Sequence, residues 1–374
     1  MAAFSPSEAA DLRARALPVA PVSACALEDV EGAVLVGAGV YSRTLLATLE
    51  PRGIRPAWIV DSNPQRWGSE LDGVPIRAPG SLYEAGDRLV IAMTHHFRAM
   101  ADILGDHRVP RWAWFTSIGE VFGNYDLVAR PDEVLHHPEV DRLLGVMAHS
   151  GESGEVLRKA LACRITGSPD DFPPVTAAQY FQEDLVPRSR YLRFVDCGAY
   201  VGDTLLEWMR RVGGNDPALL RYHAIEPDAR SFEQLAQTRD SLPVAVQSCV
   251  SLHRCGVGSV SGRLRVLSSG VGTNLRDGPE DGSEVDVTRL DDLLVGETVT
   301  AIKMDLEGFE PRALEGARAL IAAQRPVLLV AIYHQVRHLW ELPLWIHDLG
   351  LGYRLSLRHH DASMSETVCY GVPE

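Results

Sequence analysis

Short apolar runs alternate with amphipathic segments along most of the chain, which is the pattern of an α/β protein. In the second half, five apolar runs predict strands, and polar turns and segments with helical spacing follow most of them. These predicted strands are 191–195, 221–225, 244–250, 300–304 and 326–333. Two further runs, 353–360 and 366–370, predict an antiparallel pair at the end of the chain. The sequence therefore predicts a mostly parallel sheet that ends in an antiparallel hairpin.

The first half contains a separate series of strands and helices. An apolar strand precedes the glycine turn at Gly37 and Gly39, and a helix begins after it. A second strand ends at Asp61, where an acid can hold a ribose in a Rossmann βαβ unit. Ser42 stands where the third glycine of the dinucleotide fingerprint would be. This half therefore predicts a Rossmann-like domain with an incomplete fingerprint.

Three interpretations of this first domain remain open. It resembles the small nucleotide-binding domain that precedes catalytic domains in bacterial sugar-modifying enzymes, with counterparts at 61–64 and 73–76. In the first interpretation the domain binds a nucleotide-sugar or similar carrier, and in the second it binds NAD for redox chemistry. In the third it packs and shapes a pocket without binding any nucleotide. His95 and His96 follow the next predicted strand, but a histidine pair on a loop is more often simply solvated.

The length of 374 residues suits two domains. We predict a Rossmann-like domain over 1–120, a helical linker over 121–190 and a second Rossmann-like domain over 191–374. A connector between two rigid domains can also supply one wall of a substrate site. The fold class is therefore α/β with two Rossmann-like domains.

A second glycine loop lies near the middle of the chain and has the form Asp-x-Gly-x-x-x-Gly, which is typical of S-adenosylmethionine (SAM) methyltransferases. We expect both glycines to be needed because a Cβ there would keep a ligand away from the backbone. The helix that follows offers unpaired N–H donors at its start. The candidate ligand-binding residues of this loop are Asp196, Gly198, Ala199, Tyr200, Gly202, Asp203 and Thr204.

Acids and a histidine follow the neighbouring predicted strands. Glu226 and Pro227 close the second strand, where a carboxylate can accept both ribose hydroxyls or, alternatively, cap the next helix. Asp305 follows the fourth strand, and His334 follows the fifth. Because parallel strands end at one edge of a sheet, we expect Asp305 and His334 near the glycine loop. His334 is then a candidate base for a hydroxyl proton, with a core or loop histidine as the alternative.

Asp305 belongs to an acid-rich turn with Glu307 and Glu310. These acids suit three tasks: orienting a cationic donor, binding a divalent metal, or capping the helix that follows. For Glu310 the helix dipole alone is a sufficient explanation. The region 268–284 is rich in Gly, Ser and Asp, and predicts a surface loop or mobile lid.

Charge and composition limit the classes of partner. The formal net charge is −14, which opposes non-specific binding to nucleic acid or anionic membranes. No apolar run approaches the length of a membrane span. The first residues have neither the basic flank nor the apolar core of a signal peptide, so we expect a cytoplasmic protein. The six cysteines form no Cys-x-x-Cys pair, which indicates buried free thiols. Homo-oligomerisation remains open.

Taken in order, these motifs resemble the FkbM family of SAM-dependent methyltransferases over about residues 191 to 374. The resemblance rests on the segments 196–204, 226–227, 302–310, 332–334, 357–360 and 366–368. It implies a class I methyltransferase domain that uses SAM and methylates a hydroxyl, often of a sugar or natural product. Our mechanistic hypothesis is direct SN2 transfer, with the ribose of SAM on Glu226 and with His334, either alone or aided by Asp305, as general base.

Two other functional classes stay open. A nucleotide-sugar binding protein or NAD-dependent sugar-modifying protein would use the first glycine loop. A non-catalytic protein with a SAM-type fold would transfer no methyl group. A divalent metal bound by Asp305 and Glu307, as an aid to acceptor binding, is a further option.

Overall fold

A computed structural model describes residues 3–123, 125–214, 216–267, 274–276 and 283–374. The chain divides into two compact units. The amino-terminal unit is built from Phe4–Leu135 and Ala162–Phe172, and the carboxyl-terminal unit from His136–Leu161 and Pro173–Glu374. The segment 121–190, predicted to be a linker, is thus shared between the two units.

The amino-terminal unit contains a six-stranded sheet. Its strands are β1 Val34–Val36, β2 Trp58–Val60, β3 Glu70–Leu71, β4 Val74–Arg77, β5 Val90–Ala92 and β6 Trp112–Trp114. The order is β3-β4-β2-β1-β5-β6. All pairs are parallel except β3 with β4. Every residue of β1, β2 and β5 is buried, as expected for strands that are covered on both faces.

The carboxyl-terminal unit contains a small sheet and a large one. The smaller comprises β10 Gly256–Val257, β11 Gly262–Leu267, β12 Asn274–Arg276 and β13 Ser283–Thr288, in the order β10-β13-β11-β12. The larger comprises β7 Arg193–Cys197, β8 Arg221–Ile225, β9 Val250–His253, β14 Ala301–Met304, β15 Val327–Ala331, β16 Tyr353–His359 and β17 Thr367–Pro373.

The larger sheet positions the candidate site. Its order is β16-β17-β15-β14-β7-β8-β9. The five strands from β15 to β9 in this order are parallel, whereas β17 is antiparallel to both β15 and β16. Cys197 pairs with both Ile225 and Met304, so the polar residues that follow these strands emerge at one edge. The α/β fold class, with mostly parallel sheets and a terminal antiparallel hairpin, is confirmed.

Helices join most of the strands of the two large sheets. The α-helices are α1 Pro6–Ala14, α2 Val40–Leu49, α3 Phe97–Asp106, α4 Gly119–Phe122, α5 Pro131–Val134, α6 Pro138–Val146, α7 Gly151–Thr166, α8 Asp203–Val212, α9 Ala229–Asp240, α10 Val244–Gln247, α11 Leu290–Leu293, α12 Glu310–Gly316, α13 Arg318–Gln324 and α14 His338–Asp348. Helix α8 buries Leu205, Trp208 and Val212, whose spacing places them on one face towards the core.

Two sequence expectations need comment. The segment 244–250, predicted to be one strand, instead forms helix α10 and only then enters β9 at Val250. Pro243 fixes an extended lead-in that starts the helix, and Val244 is 80% exposed, so its apolar side chain does not mark a core strand. The predicted loop at 268–284 lies largely outside the described residues.

Two other observations concern the cysteines and the helices. All six cysteines are free, and five of them are buried. Within the ranges that the structure describes, no helix combines the length and the apolar character needed to cross a membrane.

Candidate active site

A cleft of about 230 Å³ lies where β7, β8, β14 and β15 of the carboxyl-terminal unit end. Ligands of open α/β sheets bind beyond the carboxyl ends of the strands, so this is the expected position for a site. The predicted residues that line the cleft are Gly198, Tyr200, Asp203, Thr204, Glu226, Pro227 and Asp305. The sheet therefore brings most of the candidates together. Asp196, Ala199, Gly202 and His334 are not part of the cleft lining.

The two glycines of the loop are required by the packing of the protein itself. Gly198 has φ +83°, and a Cβ there would lie 1.9 Å from the carbonyl oxygen of Asp305. Gly202 has φ +91°, and a Cβ there would lie 2.9 Å from Cγ2 of Thr238 in α9. Both positions also need the left-handed backbone that glycine adopts without penalty. The structure thus gives a different reason for these glycines than the ligand clearance expected from the sequence.

Glu226 links the glycine loop to the end of β8. One carboxylate oxygen accepts a 2.9 Å hydrogen bond from the backbone N–H of Tyr200, and the other accepts one of 2.9 Å from that of Asp228. Burial raises the pKa of Glu226 to about 7, although these two donors act against the shift. Each oxygen keeps a second lone pair, so Glu226 can still accept hydrogen bonds from a ligand in the cleft.

A buried ion pair lies directly beneath the loop. The ammonium of Lys303 is 2.9 Å from Oδ1 of Asp196, and it donates a 2.6 Å hydrogen bond to the carbonyl of Gly198. The hydroxyl of Tyr222 donates to Oδ2 of Asp196 over 2.5 Å. Burial works against the charged ammonium, yet the carboxylates of Asp196 and Asp305 raise the pKa of Lys303. Asp196 therefore supports the loop from below and does not face the cleft.

Asp305 faces the cleft from the end of β14. The hydroxyl of Tyr180 donates to its Oδ2 over 2.7 Å, and that of Tyr333 donates to its Oδ1 over 3.2 Å. The side chain of Asp305 is 21% exposed. Two phenol donors on one carboxylate fix its orientation.

His334 lies behind Asp305 and is fully buried. Its Nδ1 is 3.0 Å from Oε1 of Glu310, while its Nε2 is 3.3 Å from Oε2 of Glu307 and 3.5 Å from Oδ1 of Asp305. Burial alone would disfavour the imidazolium, but the carboxylates of Glu310 and Glu307 raise the pKa of His334 well above its ordinary value. His334 is therefore enclosed by three carboxylates and reaches the cleft only through Asp305 and Glu307.

Glu310 begins helix α12 and is also fully buried. Its Oε1 accepts a 2.7 Å hydrogen bond from the backbone N–H of Leu306. Burial would raise the pKa of Glu310, but the neighbouring imidazole of His334 lowers it to about 2. Glu310 thus caps the acid-rich turn, as its position at the helix start suggested, and in addition holds one nitrogen of His334.

Several residues that line the cleft were not singled out as site residues from the sequence. Glu366, at the start of the last strand, has φ +69° and accepts a 2.5 Å hydrogen bond from the side chain of Gln179. Burial and the nearby carboxylate of Asp305 raise the pKa of Glu366 to about 7. Tyr180 and Gln179 come from the segment that was predicted to supply one wall of a site.

A recognisable signal existed for only one of the missed residues. Lys303 is a charged residue inside an otherwise apolar buried strand, which is costly unless the charge is paired. Tyr180 comes from a loop more than a hundred residues away from Asp305, and nothing in its surrounding sequence indicates the contact.

In the first glycine loop, in the amino-terminal unit, an acid also accepts a hydrogen bond from the loop backbone, as Glu226 does in the second. The carboxylate of Asp61 accepts a 2.8 Å hydrogen bond from the backbone N–H of Ala38, and the guanidinium of Arg66 lies 3.2 Å from it. Ser42 donates to the carbonyl of Gly37 over 2.5 Å, so it closes the turn where the fingerprint has glycine. His95 contacts the hydroxyl of Tyr41 over 2.7 Å.

Comparisons with known proteins give one family match and similar solved structures. Residues 196–355 match the family described as Methyltransferase FkbM domain. The structure is similar to the crystal structure of Methyltransferase FkbM from Methylobacillus flagellatus KT, with a TM-score of 0.62 and 23% identity over 99% of this chain and 94% of that chain. A more distant likeness is to the O-methyltransferase TomG from Streptomyces achromogenes, solved in complex with SAM, with a TM-score of 0.34 and 14% identity over 63% of this chain and 98% of that chain.

A search of curated proteins gives no match. The family match begins at Asp196 and ends within β16, so it includes the glycine loop, Glu226, Asp305 and His334. The likeness to the Methylobacillus structure, at its low identity, shows a shared fold. Residues 196–355 are therefore an FkbM methyltransferase domain, and most of the residues that line the cleft belong to it.

Proposed function

We propose that the protein transfers the methyl group of SAM to a hydroxyl of a sugar, glycoconjugate or natural product. The observation that carries this proposal is the position of Glu226, whose carboxylate is fixed by the Tyr200 N–H of the glycine loop and shares one cleft with Asp305. This arrangement supplies an acceptor for a ribose at one side of the cleft and a carboxylate at the other. The cationic sulfonium of SAM would lie between them.

The donor is proposed to lie across the loop from Gly198 to Gly202. The ribose hydroxyls would donate to the free lone pairs of Glu226, with Pro227 beside them. Asp203 and Thr204 line the same part of the cleft at the start of α8, where backbone N–H donors of the first helical turn are available. Asp196 and Ala199 would act indirectly, by holding the loop in this shape.

The acceptor hydroxyl is proposed to approach Asp305. In the SN2 step its oxygen forms a bond to the methyl carbon as the bond from sulfur to that carbon breaks, which leaves S-adenosylhomocysteine. Its proton passes to the Asp305 carboxylate. His334, 3.5 Å behind, can take the proton further only when its ring is neutral, because Glu310 and Glu307 raise the pKa of His334. His334 as general base remains a prediction, and the burial of its ring favours a role that acts through Asp305. Much of the rate would come from holding oxygen, carbon and sulfur in line.

The expected partners follow from the same chemistry. A sugar or other small hydroxyl compound is the acceptor, and the charge of −14 argues against nucleic acid. A cytoplasmic location remains a prediction from the sequence. The domain limits 1–120, 121–190 and 191–374 likewise remain a proposal, in which the first domain selects or presents the acceptor.

The first test is mass spectrometry of ligands that co-purify with the protein, joined with calorimetric titration of SAM. SAM or S-adenosylhomocysteine would support the proposal. NAD or a nucleotide-sugar would favour the alternative that the first glycine loop is the active one. Glu226→Ala is expected to weaken SAM binding, whereas Glu233→Gln, an exposed acid on α9, should leave it unchanged. Equal affinities for the wild type and Glu226→Ala would overturn the ribose assignment.

The second test separates donor binding from transfer. Asp305→Asn and His334→Ala are each compared with the wild type for SAM affinity and for release of S-adenosylhomocysteine with a panel of hydroxyl acceptors. We expect strongly reduced turnover in both variants. SAM affinity should be nearly unchanged in His334→Ala and lowered in Asp305→Asn, which removes the carboxylate proposed to lie beside the sulfonium. Full activity of His334→Ala would remove His334 from the mechanism, and full activity of Asp305→Asn would do the same for Asp305.

A further inference from the structure

We propose that Asp305, Glu307 and His334 bind a first-row divalent cation at the inner end of the cleft. Binding itself is independent of the proposed methyl transfer, and only the role of the cation in holding an acceptor rests on that function. Three features of the molecule lead to this site: the spacing of the donor atoms, the contact on the far side of the imidazole, and the balance of charge around the cleft.

Nε2 of His334 lies at a ligand-to-ligand distance from each of two carboxylates. Nε2 of His334 is 3.3 Å from Oε2 of Glu307 and 3.5 Å from Oδ1 of Asp305. Ligands that each lie about 2.0–2.2 Å from an ion in tetrahedral or octahedral geometry are about 3.0–3.5 Å from one another. A cation on Nε2 could therefore be shared with either carboxylate, and movement of an acid side chain would bring both onto the ion. One imidazole and two carboxylates suit Mn²⁺ or Zn²⁺ better than Ca²⁺.

Glu310 occupies the other side of the ring. Its Oε1 is 3.0 Å from Nδ1 of His334, and it also accepts from the backbone N–H of Leu306. A single ion that binds Nε2 cannot bind this oxygen as well, because the two ring nitrogens point in different directions. A carboxylate at the second nitrogen is instead the usual partner of a metal-bound histidine, where it fixes the tautomer and the ring orientation.

The charge around the cluster is strongly negative. Asp305, Glu307, Glu310 and Glu366 lie close to His334, and the ring of His338 is 3.6 Å from Glu310; the side chain of Glu307 is only 25% exposed. Among the described residues that line the cleft, Lys303 is the only lysine or arginine, and its ammonium is held by Asp196. Burying several carboxylates close together is costly unless cations compensate their charge. A divalent cation between Asp305 and Glu307 would offset this charge.

The open side of the site faces the cleft. Asp305 and Glu307 both line it, so positions that the protein leaves open on a bound ion point towards the space proposed for the acceptor. Glu307 has φ +54°, a backbone conformation that costs energy for a residue with a side chain and that often occurs at functional sites. Two neighbouring oxygens of an acceptor could fill the open positions. With a cation on Nε2, His334 would be a ligand and would no longer be available as a base.

The test uses the full-length protein after treatment with a chelator and dialysis. Mn²⁺ binding is measured by electron paramagnetic resonance in the absence of SAM, and Co²⁺ is used to record a visible spectrum that reports a nitrogen ligand. We expect a single Mn²⁺ per chain. Glu307→Gln and Asp305→Asn should each weaken binding at least about tenfold. Glu233→Gln is the matched control, and circular dichroism verifies that each variant is folded.

Three results are informative. Saturable binding that both substitutions weaken supports the site. If no acceptor is methylated in that case, only the proposed function fails. Failure to bind Mn²⁺ or Zn²⁺ at millimolar concentration overturns the site, even if methylation proceeds in the presence of a chelator. Binding that is unchanged in both Glu307→Gln and Asp305→Asn also overturns it, because the ion then lies elsewhere.

Discussion

Lys303 and Asp196 are register partners on adjacent strands, and their side chains form an ion pair of 2.9 Å that is buried beneath the glycine loop. The same ammonium reaches the carbonyl of Gly198. The pair therefore ties β14, β7 and the loop together at one point. Because Asp196 is fully buried and Lys303 nearly so, little water can compensate either charge, and the two charges depend on each other.

Lys303→Met is expected to destabilise the protein by about 3–5 kcal/mol, since it leaves the carboxylate of Asp196 buried without its cation. The loss is to be measured as the free energy of unfolding in urea. The double variant Lys303→Met with Asp196→Asn removes both charges and should be more stable than Lys303→Met alone. If the double variant were the less stable of the two, the pair would not be the source of the effect.

Gly198→Ala is expected to be among the most damaging substitutions in the loop. Its Cβ would lie 1.9 Å from the backbone carbonyl oxygen of Asp305, and its φ is +83°. The strand ends must then separate, so we expect a loss of at least about 3 kcal/mol in the free energy of unfolding, together with loss of SAM binding.

Gly296→Ala is the matched control for this substitution. Gly296 also has a positive φ, +82°, but a Cβ there would meet nothing within 4 Å. Its cost should therefore be limited to backbone strain, about 1 kcal/mol, and SAM binding should be retained. Equal losses in the two variants would mean that the close approach to Asp305 contributes nothing.

The sequence predicted the parts of the site that depend on the ends of strands. Asp305, Glu226 and the loop from Gly198 to Gly202 all follow apolar runs, and parallel pairing brings such ends to one edge whatever the details of packing. His334 was placed in the same way, and it does lie beside Asp305. Its complete burial was not predictable, because it depends on how Glu310 and Glu307 close around the ring.

The parts of the site that depend on distant loops could not be predicted. Tyr180 reaches Asp305 from outside the sheet, and Glu366 enters the cleft from the turn between the last two strands. The sequence around each of these two residues lacks a periodic pattern that would predict which way the side chain points. The strand prediction at Val244 was wrong for another reason. The apolar residues there suggest a strand, but Pro243 precedes them and Val244 is exposed at the surface, and both features allow a short helix instead.

Tyr180→Phe tests whether the orientation of Asp305 matters for transfer. The substitution removes a 2.7 Å hydrogen bond to Oδ2 and leaves the ring in place. We expect turnover to fall about tenfold with SAM affinity nearly unchanged, because one hydrogen bond to a charged group is lost away from the donor. Release of S-adenosylhomocysteine is the measurement.

Tyr353→Phe is a suitable control for Tyr180→Phe. The hydroxyl of Tyr353 also donates one buried hydrogen bond, of 2.8 Å, to the backbone carbonyl of Pro326, but it does not line the cleft. Its loss should reduce stability slightly and leave turnover intact. A similar fall in turnover for both variants would indicate a general effect on folding.

SAM affinity is expected to depend on pH through Glu226. Burial raises its pKa to about 7, and only the ionised carboxylate keeps both oxygens as acceptors for the backbone and the ribose. Below this pKa the proton occupies one acceptor position, so affinity should fall about tenfold from about pH 8 to about pH 6. Calorimetry measures how SAM affinity changes with pH in the wild type and in Glu226→Gln. Comparing the two slopes removes the contribution from the titration of SAM itself. The amide leaves the N–H of Tyr200 or of Asp228 without an acceptor, so Glu226→Gln should bind more weakly and with a smaller pH dependence. Equal slopes in the two proteins would show that Glu226 does not contact the donor.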